Sequence, residues 1–283
     1  MQNSPNTDKN DALKISHALP EAVLLEPLSP SFTKRFSDSG AVWLCAEPSL
    51  LKESNDTDTS PDWQARCGKL VAVPAQPNTG NSQRVMVAGV SCLAFQPRMN
   101  CGYCIPEAIS GNSPFSIAVI YAPSLENEPR SLVTINPADA DNYLFLSERD
   151  DAIELTDKQG DFSLRQPVMR KYNGFRLVVL SCTNEGYALA LSGNKQQRTK
   201  RPVENSTDNE TQIDATGPSD LFIGCRSHRK GILKTLGELS LADIFLWPDK
   251  DILAFDNDGS DENSSPEHDL LLKYFNEVIS REV

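Results

Sequence analysis

No stretch of this sequence approaches the run of about 20 apolar residues that a membrane-spanning helix requires. The first ten residues, Met1 to Asn10, are polar, without the basic start and apolar continuation of a secretory leader. Neither signal peptide nor membrane insertion is therefore expected. Histidine is scarce, with three in the chain (His17, His228 and His268). That is too few for a histidine-based catalytic or metal cluster. Positive charge is also short, 27 basic residues against 39 acidic giving a net −12. Nucleic acids and anionic lipids are polyanions, so this balance opposes both, and no basic stripe covers a whole element. Cys45, Cys67, Cys92, Cys101, Cys104, Cys182 and Cys225 make seven cysteines. An odd count without an export signal reads as reduced thiols buried as small hydrophobes, not as a disulfide framework.

Helical periodicity is nearly missing from the middle of the chain, and short strand-like runs take its place. Val85 to Phe95 is apolar with small residues, and Phe115, Ile117, Val119 and Tyr121 share one face of a strand. Tyr143 to Leu146 and Ala152 to Leu155 flank the charged tip Glu148 to Asp151, as in a hairpin. Phe175 to Ser181 and Tyr187 to Leu191 flank a turn closed by Gly186. Leu221 to Cys225 and Leu239 to Trp247 complete the series, the last placing Leu239, Leu241, Phe245 and Trp247 on one face at period two. Many short strands with frequent turns predict an all-β fold, an antiparallel β-sandwich. The lack of 10–15-residue amphipathic helices between strands excludes a parallel α/β sheet.

Around this core, at residues 84–248, lie three other regions. Residues 1–83 form an N-terminal extension, partly irregular, with a helical turn near Ser31 to Phe36 and short strands at 41–45 and 70–73. Lys195 to Asp214 reads as a polar loop within the core region, and 249–266 as an acidic linker. Ser265 can cap a helix with Pro266 in its first turn. Leu270, Leu271, Tyr274, Phe275, Val278 and Ile279 then recur at helical spacing, predicting a C-terminal amphipathic α-helix over 267–283. Its apolar stripe needs a home, on the sandwich or on a partner.

From about Val90 to Trp247 the order of segments resembles the concanavalin A-like lectin/glucanase superfamily, especially its laminin-G-like jelly-roll branch. The likeness is carried by Pro114–Ile120, Tyr143–Ser147, Gly174–Leu180, Tyr187–Leu191, Asp220–Gly224 and Leu239–Trp247. It covers roughly half the chain. Residue 174 departs from the usual pattern, in which a tryptophan commonly stands near the start of that strand. The resemblance implies two stacked antiparallel sheets, often with a calcium site and a carbohydrate- or protein-binding edge. Fold alone does not fix function.

Candidate chemistry is sparse. Glucanases of the superfamily carry Glu-x-Asp-x-Glu; here Glu148-Arg-Asp150-Asp-Ala152 lacks the third carboxylate and sits at a hairpin tip, so a solvated turn is expected. Cys101-Gly-Tyr-Cys104 is one CxxC without a second pair, which favours packing cysteines. Asp256 to Glu262 suggests a calcium loop, but an EF-hand frame needs glycine where Asp261 stands, so a solvated linker is the expectation and no cofactor is assigned. The basic cluster Arg226, His228, Arg229 and Lys230 follows a strand, in a loop at a sheet end. These side chains suit an anionic sugar, because guanidinium forks pair with carboxylate or sulfate; the bland alternative is an exposed loop pairing with the protein's own acids.

The expected function is a non-catalytic module binding a polysaccharide or cell-surface glycan, in the cytoplasm or as part of a phage-like particle. Protein assembly partners could attach through the N-terminal extension and C-terminal helix. A structural protein binding a protein partner and a glycan-degrading enzyme are the alternatives.

Overall fold

A computed structural model describes residues 30–52, 61–76, 82–111, 113–124, 126, 128–138, 142–158, 163–168, 174–183, 186–192, 197–202, 218–227, 236–253 and 265–280. Two antiparallel sheets face each other, with strands numbered in chain order. The first runs β15 (Gln197–Pro202), β14 (Gly186–Ser192), β13 (Arg176–Thr183), β8 (Phe115–Pro123), β17 (Leu239–Trp247), β6 (Val90–Phe95) and β5 (Gln83–Val87). β1 (Val42–Cys45) joins it beside β6, on the same edge of β17. The second runs β12 (Ser163–Pro167), β11 (Ala152–Asp157), β10 (Leu144–Arg149), β9 (Arg130–Pro137), β16 (Ser219–Ile223), β7 (Tyr103–Ile109), β4 (Val71–Pro74), β3 (Asp62–Gln64) and β2 (Leu51–Lys52). The chain is thus an all-β antiparallel sandwich.

The main core lies between the sheets. Phe115, Ile117, Val119 and Tyr121 enter it from β8, as their alternation predicts, and meet Val133, Ile135, Leu144, Leu146, Ile153 and Leu155 from the second sheet. The first sheet is covered on its other face as well. There α1 (Pro30–Asp38), α2 (Pro266–Tyr274) and the turn that continues α2 lay Phe32, Phe36, Leu271, Tyr274 and Phe275 against Trp43, Phe245 and Trp247. Both faces of β8 are therefore buried, from Phe115 to Ala122.

Two sequence expectations need correction. A β-bulge between Leu241 and Asp243 shifts the side-chain parity of β17. Leu239, Leu241, Ile244 and Leu246 therefore face the other sheet, while Phe245 and Trp247 face the helices. The polar segment 195–214 contains a strand, β15, which pairs with β14 and forms the end of the first sheet. Lysine and arginine on an edge strand discourage its pairing with other chains. The C-terminal helix begins at the expected cap, Ser265 Oγ accepting from the His268 amide at 3.1 Å, and continues past α2 as a π-turn at Phe275–Ile279. Its apolar stripe docks on the sandwich: Tyr274 stacks edge-on against Trp43 and Phe245.

Candidate functional site

The outer face of the second sheet carries the groove. On β10 and the residue before it, Tyr143, Phe145, Ser147 and Arg149 point outward, opposite Leu144, Leu146 and Glu148, which point in. Thr156 and Glu154 of β11 stand across from Phe145 and Ser147, and Ser163 of β12 lies across from Thr156. Together with Pro129, Asp157, Lys158 and Arg226 they enclose about 300 Å3, near the lower end for a small-molecule site. Asn142 links two lining residues, its Oδ1 accepting from the amides of Tyr143 at 2.9 Å and Lys158 at 3.0 Å.

Arg226 reaches this groove because of the turn after β16. Gly224 has φ +68°, and its amide donates to the Leu132 carbonyl at 2.8 Å. A Cβ there would stand 1.8 Å from Phe95 Cε2. Only glycine combines that dihedral with that approach. Cys225 then tucks onto Gly102, and its carbonyl accepts from Thr134 Oγ1 at 3.1 Å. The chain is left over β9 and β10, with the Arg226 guanidinium 3.9 Å above the Phe145 ring. Its Nε is buried without a hydrogen-bond partner. Burial pushes the guanidinium below its ordinary pKa, a hydrogen bond with Tyr143 pulls it back up, and Arg149 lowers it further. Of the four predicted contact residues, Arg226 is placed here; His228, Arg229 and Lys230 lie outside the described residues, as does the acidic segment 256–262.

The Glu148–Asp150 expectation is half overturned. Asp150 is exposed in a two-residue turn with Asp151, at φ +47° and +60°. Glu148 is buried between the sheets, because it shares the inward parity of Leu144 and Leu146. Arg130 Nη1 reaches its Oε1 at 3.1 Å, Arg176 pairs with Oε2, and the Tyr121 hydroxyl donates to Oε2 at 2.5 Å. Burial, then the Glu148 charge, push the Tyr121 phenol well above its usual range. The cluster ties β8, β9, β10 and β13 together. The two carboxylates of the motif therefore face opposite surroundings.

All seven cysteines are free and buried. Cys104 packs with Ala75, Phe222, Cys225 and Leu236 under the Gly224–Arg226 turn, and burial pushes its thiol up to about 12. Sequence reasoning missed Tyr143 and Phe145; the outward period-two row 143, 145, 147, 149 was the available signal.

No family model matches the chain, and no curated protein matches it either. Solved structures do. The Trypanosoma rangeli sialidase in complex with sialic acid superposes with a TM-score of 0.53 at 14% identity, over 86% of this chain and 34% of the sialidase. The likeness is one of fold. The binding domain of botulinum neurotoxin serotype D/C reaches a TM-score of 0.48 at 10% identity, over 78% of this chain and 51% of its own. A type C neurotoxin structure, described by interaction with two ganglioside molecules, reaches 0.45 at 11%, over 77% and 50%. The chain spans about a third of the sialidase and half of the neurotoxin chains. No helix among the described residues is long and apolar enough to cross a membrane.

Proposed function

We propose that this sandwich is a non-catalytic carbohydrate-binding module of the concanavalin A-like, lectin type, with the β10–β11 groove as its contact surface. The observation that carries the reading is the composition of the groove. Tyr143, three hydroxyl side chains (Ser147, Thr156 and Ser163) and charges of both signs line one small concavity. Saccharides present apolar ring faces and hydroxyl edges, and a few convergent polar groups beside an aromatic fit both. His228, Arg229 and Lys230 follow Arg226 after Ser227 in sequence and belong to the proposed contact set.

Hydrolysis is the weaker alternative. Most glycosidases place two carboxylates across one bond in an open site, and the Glu148–Asp150 motif does not. Glu148 is engaged by two arginines and a phenol inside the sandwich, and Asp150 sits on a turn. A glycan array probed with the full chain tests the proposal. Wild-type protein should retain at least one saccharide class, and Ser163→Trp, which fills the groove from an exposed position, should lower that affinity tenfold or more. Absence of binding across the array sinks the reading.

A further inference from the structure

We propose that the saccharide held in this groove is acidic, and that its carboxylate pairs with Arg226. The inference rests on the binding reading above and adds the ligand's chemistry.

Its basis is an imbalance at Arg226. Other arginines withdrawn from solvent each reach a carboxylate: Arg66 pairs with Glu47, and Arg130 and Arg176 with Glu148. Arg226, half-buried, has no acidic partner among the described residues. It has the Phe145 face beneath it, Tyr143 beside it, and an Nε with no acceptor. Removing a cation from water is costly unless a counter-charge is met, and an aromatic face returns only part of that cost. An anion entering the groove supplies the rest.

The form of the anion follows from how the guanidinium is held. The guanidinium lies 3.9 Å over the Phe145 ring, with Tyr143 beside it. A planar fork matches two coplanar oxygens, which a carboxylate presents in bidentate fashion. The rest of the groove sets the charge density. Glu154, accepting from Ser163 Oγ at 3.1 Å, and Asp157, accepting from Asn142 Nδ2 at 3.4 Å, are negative. They offer acceptors to sugar hydroxyls but repel further anionic groups. The net −12 of the chain acts in the same sense at longer range. One carboxylate among neutral hydroxyls fits; a densely sulfated chain does not.

Isothermal titration of the full chain tests this with five probes: a hyaluronan hexasaccharide, a polysialic acid oligosaccharide, the carboxyl-reduced form of each, and dextran sulfate. At least one acidic probe should bind, its reduced form at least tenfold more weakly, and dextran sulfate no better than the reduced form. Arg226→Gln should abolish the preference for the acid, roughly a ten- to hundredfold loss. Arg226→Lys, which keeps the charge without the fork, should recover only part of it. Arg84→Gln, exposed on β5 away from the groove, should bind as wild type does. Equal binding of acidic and reduced forms, tighter binding of dextran sulfate, or an acid preference that survives Arg226→Gln overturns the inference while leaving saccharide binding intact. If none of these probes binds but the array finds a neutral saccharide, the inference alone falls; silence in both experiments removes the binding reading too.

Discussion

Residue by residue, position 226 depends on position 224. A hydroxyl, a ring or a charge can face the groove from any outward strand position, but Arg226 gets there only through a turn that closes on Phe95. Gly224→Ala should destabilise the fold by about 2–4 kcal/mol, from a strained positive φ and a core overlap together. Urea denaturation measures that cost. The same variant should lose any saccharide affinity in molecules that remain folded, since Arg226 would be displaced. A Gly224→Ala protein of wild-type stability would show that the turn can yield. Arg226 itself was legible in the sequence as part of a basic run. Its platform was not, since Tyr143 and Phe145 come close to Arg226 only when β16, β9 and β10 lie side by side.

Among the elements, the C-terminal helix is fastened by one buried acid. Asp243, at the β17 bulge, accepts from Trp43 Nε1 at 2.8 Å and from the Tyr274 hydroxyl at 3.0 Å, joining β17, β1 and α2. Burial raises its carboxyl from 3.8 to about 7, against the two hydrogen bonds and the Arg66 charge, which lower it; Glu47 adds to the rise. A pKa raised on folding stabilises fully below the unfolded value, and that contribution fades as pH climbs to the folded one. Asp243 should thus make the protein progressively less stable between about pH 4 and 7. Asp243→Asn should lack that decline, so denaturation at pH 5 and 8 should show the variant gaining on wild type at the higher pH. Parallel losses in both would remove Asp243 as the cause. Ser265, Pro266 and the apolar spacing announced this helix plainly. β8, β10, β11, β13 and β17 were equally readable. β9 and β12 were not, because Arg130 and Thr134 interrupt one and Ser163, Arg165 and Gln166 dominate the other. Pairing with β10 and β16 places β9, and pairing with β11 places β12, and the residue types of either strand alone carry no trace of those partners.

At the scale of the whole molecule, apolar contact holds the sheets together and, among the described residues, the buried Glu148 cluster ties one to the other. Glu148→Gln would leave Arg130 and Arg176 buried without their counter-charge and should cost about 3–5 kcal/mol. Asp150→Asn, two residues away on the exposed turn, should stay within about 0.5 kcal/mol. Thermal unfolding of the two separates a buried tie from a solvated turn, and equal effects would contradict the placement of Glu148 between the sheets. The pairing of β1 with β17 has a further consequence, for synthesis. Trp43 and Asp243 are bonded across 200 residues of chain. At 5–20 residues per second, a ribosome needs roughly 10–40 s to reach the second after the first. For that interval Val42, Trp43, Leu44 and Cys45 emerge without the strand that shelters them. The nascent chain must keep an apolar segment and a free thiol out of reach of other chains until its last strand arrives, and synthesis rate and holding chaperones become determinants of yield.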